Sequence, residues 1–296
     1  MHGYSLEKIN KAIKKYSKNN ENCAQLLASY QELLELQFQY LEHIDVPFNL
    51  EEEDIKEYLR QGHYLLADES LNLDLSKVRE LMFKIAKVLL NNESNLSQKL
   101  ELLESLPELQ EENLSQLLNR KGGNNPENVE SYLRDNAVHD KCNIEPEVIT
   151  NIIFTALSPF YMNYAGKAAE ITDFSLWSNG FCPVCGQKPM MAMLRSEDNA
   201  RILECWLCHT QWKFSRLECP YCNNKDYYKM GYFFVDEEKS RRINVCEHCK
   251  SYIKTISLKE IAGNVILDVE NLCTMNLDLA AQEKGYKPGQ DLSLLN

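Results

Sequence analysis

The chain has 296 residues, 44% of them apolar and 26% charged, an ordinary globular composition with room for two or three domains. A formal charge of -12 opposes the positive field that phosphate backbones require, and no apolar run approaches the ~18 residues of a membrane span. The N-terminus, MHGYSLEKINKAIKKYSKNN, lacks the apolar core of a secretory signal. A cytoplasmic location is therefore expected, where thiols stay reduced and bind metal rather than form disulfides.

Residues 1–178 read as a helical domain. A first helix is predicted over Leu6–Tyr16. A longer one carries Leu26, Leu27, Tyr30, Leu33, Leu34, Phe38 and Leu41 at three- and four-residue steps, with Pro47 as its stop. The run Glu51-Glu52-Glu53-Asp54 reads as the solvated first turn of another helix, and Gly62 closes it. KVRELMFKIAKVLL is strongly amphipathic, LSQKLELLESL follows to Pro107, and LQEENLSQLLNR runs to the turn cluster Gly122-Gly123-Asn124-Asn125-Pro126. After NVESYLRDNAV comes EVITNIIFTALSPFYMNYAGKAAEIT. It is the most apolar element of the region and is expected at its centre, with Pro159 placed to kink or split it.

FSLWSNG links this domain to a cysteine-rich block. Four Cys-x-x-Cys pairs fall within 68 residues, and they take eight of the chain's eleven cysteines. Nineteen residues separate the first two pairs, ten the middle two and twenty-three the last two. Two thiols on one tight turn can face one ion, and two such turns complete a tetrahedral set. Pairing neighbours across the longer gaps gives one site from Cys182, Cys185, Cys205 and Cys208, and a second from Cys219, Cys222, Cys246 and Cys249. The two units look like copies. Cys208 and Cys249 are each followed at the fourth position by an apolar residue (Trp212, Ile253) and at the fifth by lysine (Lys213, Lys254). Each unit is too small for an adequate apolar core, so metal must supply much of its folding free energy, roughly 10–16 kcal/mol per zinc site in peptide models.

A strand is predicted near Thr255–Leu258, then a short helix over Asp268–Lys284 that ends at Gly285. Leu272, Met275, Leu277, Leu279 and Ala280 form the face by which that helix would dock.

FCPVCGQKPMMAML, LECWLCHTQWKFSRLECPYC and VCEHCKSYIKT, flanked by SPFYMNYAGKAAE and DVENLCTMNLDLAAQEKGY, resemble the FdhE family of formate dehydrogenase accessory proteins. The resemblance covers about the last half of the chain, and all eight cysteines match the family's pairs. It implies an α+β multidomain fold: a helical domain over 1–178, two rubredoxin-like or zinc-ribbon subdomains of four cysteines each over 179–216 and 217–263, and a helical tail over 264–296. It also implies a cytoplasmic maturation factor that binds the catalytic subunit of a formate dehydrogenase during assembly. Two metal ions per chain are expected, zinc or, as a second choice, iron.

A structural role is favoured for both ions, because four thiolates close the shell and leave no position for water or substrate. An iron redox protein serving the same maturation is the alternative. A nucleic-acid-binding zinc ribbon is a third reading, opposed by the charge, and Arg241-Arg242 reads as a solvated strand edge. No catalytic or organic-cofactor residues are expected, and self-association stays open. His209 and His248 are read as surface groups or as supports to a ligand. Cys23, Cys142 and Cys273 are read as small apolar fillers. The aromatics between Trp206 and Phe234 divide between cover for the sulfur cages and a patch that grips a partner.

Overall fold

The computed structural model describes residues 5–19, 21–68, 71–118, 125–235, 239–261 and 265–289. N-terminal helices precede a cysteine-rich sheet region, giving the mixed α+β class expected. The chain forms two compact units that interleave in sequence. One comprises Ala28–Pro47 and Glu69–Tyr164, and the other Met1–Leu27, Phe48–Asp68 and Ala165–Asn296.

The helices are α1 (Leu6–Asn19), α2 (Glu21–Leu41), α3 (Glu52–Arg60), α4 (Leu75–Leu89), α5 (Leu96–Ser105), α6 (Glu111–Leu118), α7 (Pro126–Asp135), α8 (Val138–Cys142) and α9 (Pro146–Ile171). Gly122, Gly123 and Asn124 of the predicted turn lie outside the described residues. Helix starts follow the capping chemistry of the sequence. Asp74 accepts from Lys77 N at 3.2 Å, Asn125 accepts from Glu127 N at 3.0 Å, and the acidic run at Glu51–Asp54 opens α3 with its side chains exposed.

In the first unit, α4 buries Val78, Leu81, Met82 and Ile85, and α9 buries Ile149, Ile152, Ile153 and Phe154. Pro159 neither splits nor ends α9, which continues to Ile171. Proline has no N–H, so the carbonyl four residues earlier, on Thr155, loses its helical donor. Gln37 of α2 replaces it, with Nε2 donating to Thr155 O at 2.8 Å.

The second unit is built around one mixed sheet. Its strands are β1 (Pro189–Leu194), β2 (Arg201–Cys205), β3 (Gln211–Phe214), β4 (Met230–Phe233), β5 (Arg241–Cys246), β6 (Ser251–Ser257) and the short β7 (Lys287–Pro288). The order is β3-β2-β1-β6-β5-β4, with β7 paired to β6. Each cysteine unit is thus a three-stranded antiparallel meander. The two meanders join through the parallel pair β1–β6, where Ala192 faces Thr255 and Leu194 faces Ser257.

This junction explains where the two copies diverge. Trp212 and Ile253, the matched apolar positions of the repeat, are both buried. Lys213 lies on the edge strand β3 and is exposed. Lys254, its counterpart, lies on the central strand β6 and is only 4% exposed. There its ammonium donates to Asn271 O at 2.8 Å and to Asp278 at 2.6 Å.

Two helices, α10 (Leu267–Cys273) and α11 (Met275–Glu283), replace the single one predicted. Thr274 divides them: its hydroxyl donates to Glu270 O at 2.6 Å, and such local bonds compete with the helical ladder. Leu277 and Ala281 of α11 pack on Ile243, Val245 and Tyr252, whereas Leu279 is 63% exposed, contrary to the predicted face. Arg241 and Arg242 are also not a solvated edge, since β5 is an interior strand. Arg241 pairs with Glu270 at 2.8 Å and reaches Tyr16 Oη at 2.7 Å, and Arg242 lies over the Tyr232 ring at 4.6 Å.

Candidate metal centres

Each Cys-x-x-Cys pair forms the same turn. The residue after the second cysteine takes a left-handed backbone: φ is 75° at Gly186, 55° at His209, 56° at Asn223 and 58° at Lys250. Its N–H returns to the carbonyl of the first cysteine, at 3.0, 3.2, 3.0 and 2.8 Å respectively. In the first two turns the N–H of Val184 and of Leu207 also points at a cysteine sulfur, each at 3.4 Å. The turn aims both sulfurs to one side, which is what two residues between thiols can achieve.

The eight sulfurs gather as two groups of four, Cys182/Cys185/Cys205/Cys208 and Cys219/Cys222/Cys246/Cys249. In the first, Sγ–Sγ separations are 3.5 Å (Cys182–Cys208), 3.4 Å (Cys185–Cys205) and 3.6 Å (Cys185–Cys208). In the second they are 3.7 Å (Cys219–Cys249) and 3.8 Å (Cys222–Cys246). A tetrahedron with metal–sulfur bonds of ~2.3 Å has edges of ~3.8 Å. The spacing therefore fits a tetrahedral thiolate site in both groups, and the two clusters could hold two metal ions. An ion bound there would cross-link two turns and supply a structural clamp.

Acid–base properties agree with that fit. Burial pushes the Cys185 and Cys205 thiols well up. Cys182 goes well down despite the same burial, because hydrogen bonds from Cys185, Cys205 and Cys208 hold one negative charge there. Four buried thiols alone thus share few charges, and a dication is the natural partner for four thiolates. The second cluster is more open, with Cys222 and Cys249 partly exposed. Burial raises Cys219, while at Cys249 hydrogen bonds from Ser251 overcome burial and bring the thiol to about 7.

Several supports have no signal in the cysteine spacing. The segment after α3 docks on the first turn: Leu65 N donates to Pro183 O at 2.9 Å and Leu66 N to Val184 O at 3.1 Å. Tyr64 covers Gly186 so closely that a Cβ there would lie 2.8 Å from its ring. Trp177, in the predicted linker, anchors the approach through Nε1 to Phe181 O at 2.7 Å. Arg201 is buried and donates to the carbonyls of Ser215 and Glu218, which tie down the passage between the clusters. Burial brings its guanidinium down to about 10.

His209 and His248 stand outside both sulfur groups. His248 is exposed, and His209 turns toward Asp268, with Nδ1 3.3 Å from Oδ2. Cys142 is buried and donates to Val138 O at 3.3 Å, Cys273 is half-buried, and the Cys23 side chain lies outside the described residues. The aromatics divide. Trp212 and Phe214 are buried, whereas Tyr228 is 81% and Tyr232 57% exposed, close in sequence to the second cluster. Tyr227 stacks on Tyr228 with centroids 4.0 Å apart, and Tyr232 meets Phe234 edge-on at 5.6 Å. Among the described residues no helix is long and apolar enough to cross a membrane.

The model of the FdhE central domain matches residues 181–216, the first cluster with β1–β3. The protein FdhE homolog of Aquifex aeolicus (strain VF5) is 32% identical over 146 residues, 48% of this chain and 50% of that protein. Protein FdhE of Escherichia coli O1:K1 / APEC is 30% identical over 142 residues, 45% of this chain and 44% of that protein. The chain thus spans about half the length of the curated relatives it matches. The crystal structure of the FdhE protein from Pseudomonas aeruginosa shares the fold, with a TM-score of 0.58 over 97% of this chain and 95% of that one, at 17% identity. The central-domain match falls on the first sulfur group, and the shared fold extends over nearly the whole length. The chain is thus similar to FdhE proteins in its cysteine-rich half and shares the fold of one of them over nearly its whole length.

Proposed function

We propose that this protein is a non-catalytic formate dehydrogenase accessory factor that binds the catalytic subunit of that enzyme during its assembly. Its metal ions act mainly as structural clamps for the docking surface. One observation carries the binding role: the two exposed aromatic pairs Tyr227/Tyr228 and Tyr232/Phe234, which follow Cys222 closely in sequence. Rings of this kind lose little conformational freedom on binding and dominate the energetics of many interfaces. The closed sets of four sulfurs favour a scaffold over a reaction centre, since no coordination position is left for substrate.

The test is co-purification. Tagged full-length protein should recover the formate dehydrogenase catalytic subunit from an extract of cells expressing both. Tyr228→Ser with Tyr232→Ser should lower that recovery at least tenfold without loss of bound metal. Failure to recover the subunit at all overturns the proposal. Recovery undiminished in the double variant moves the interface elsewhere.

A redox role for iron is the second reading. It is favoured by the partial exposure of Cys222 and Cys249, which brings the second cluster near an external electron partner. Ferric–thiolate charge-transfer bands that bleach with reductant would support it. Colourless protein with two zinc ions after anaerobic purification rules it out.

A further inference from the structure

The second unit contains a cleft of about 1530 Å³, lined in part by Lys56, Arg60, Glu204, His209 and Gln211. Glu204 and His209 are on its wall, and together with the buried Asp268 each offers one ligand atom, all within 4.8 Å of one another. His209 Nδ1 lies 3.3 Å from Asp268 Oδ2 and 3.8 Å from Glu204 Oε1. Ligands bound at ~2.0–2.2 Å in tetrahedral or octahedral geometry stand ~3–3.6 Å apart, so small side-chain shifts bring these three onto one ion.

One further observation points the same way. Glu204 is 2% exposed, and although Oε2 accepts from Gln211, Oε1 has no hydrogen-bond partner among the described residues. A buried carboxylate oxygen left without a donor is costly, and a cation removes that cost.

We propose that Glu204, His209 and Asp268 form a third metal site, separate from the sulfur clusters, that takes a divalent ion such as Mn²⁺ or Zn²⁺. The donor set of one nitrogen and two carboxylates is harder than four thiolates and favours ions of that class. Three protein ligands leave positions open on the cleft side for water or for a donor group of a bound ligand. The site thereby differs in kind from the two closed clusters.

The experiment uses full-length protein with two zinc ions per chain, verified by elemental analysis. It is titrated with Mn²⁺ alone, because hard Mn²⁺ competes poorly for thiolate sites. The electron paramagnetic resonance signal of free Mn²⁺ should fall by one equivalent per chain. His209→Asn is the main variant, because asparagine tolerates the left-handed backbone and occupies the matching place at Asn223. It should keep two zinc ions and weaken Mn²⁺ binding at least about tenfold, and Asp268→Asn should do the same. No uptake of Mn²⁺ up to about 1 mM, together with no third equivalent of zinc, overturns the proposal. Uptake unchanged in both variants also overturns it.

Discussion

Gln37 donates from Nε2 to the carbonyl of Thr155 at 2.8 Å, filling the place in α9 that Pro159 leaves without a donor. Gln37 is buried, so the bond has little competition from water. Gln37→Leu strands a buried carbonyl and should destabilise by about 1–3 kcal/mol. Pro159→Ala supplies the missing N–H, and in that background Gln37→Leu should cost distinctly less. A double-mutant cycle from urea unfolding checks this. Additive effects would mean that the two residues are not linked through Thr155.

The sulfur clusters should be separable in stoichiometry and coupled in stability. Cys205→Ser and Cys246→Ser should each lower bound metal from two ions to one. Zinc sites contribute roughly 10–16 kcal/mol in peptide models, so either loss should unfold the meander that contains it. Because β1 pairs with β6, the remaining meander then loses its central neighbour and should melt at lower temperature than in the parent protein. The helices of the unit with α4 and α9 have their own core and should keep their circular dichroism. Acid should act in the same direction, since protons compete with metal for thiolates. Metal release measured against pH should increase as pH falls, first at the more open cluster of Cys222 and Cys249.

Gly186 is required for two separate reasons, its φ of 75° and the Tyr64 ring against it. An alanine in this backbone region costs about 1–2 kcal/mol, and the contact with the ring adds to that. Gly186→Ala should therefore lower the melting temperature and speed release of metal to a chelator. With Tyr64→Ala as background, the contact part of the cost disappears and the backbone part stays. A Gly186→Ala cost unchanged by removing the ring would assign the whole effect to the backbone.

Lys213 and Lys254 offer an internal control for burial. Burial pulls the Lys254 ammonium down from its usual range, and Asp278 opposes that shift. Lys254→Met leaves Asp278 without its buried cation and should destabilise by about 3 kcal/mol. Lys213→Met, on the exposed edge strand, should change stability by less than about 0.5 kcal/mol. Lys254→Met with Asp278→Leu should recover part of the loss, since an apolar pair needs no charge compensation. Denaturant midpoints of the metal-loaded proteins decide it.

The cysteine spacing was enough to sort eight thiols into two groups of four, because a turn with two intervening residues is a local object. Helix periodicity placed α4 and α9 equally well, for the same local reason. The sequence repeat also matched Trp212 with Ile253 as equivalent apolar positions. What it left open was every relation set by distant pairing. Only the β1–β6 junction decides that Lys254 is interior while Lys213 is exposed, and only the packing of α10 sets Glu270 against Arg241. Only packing reveals Gln37 as the partner of Thr155, Tyr64 as the cover of Gly186, and Asp268 as the neighbour of His209, across separations in sequence that no period spans. Local backbone chemistry fixes turns and helices, whereas burial and charge pairing depend on which surfaces the folded chain brings together.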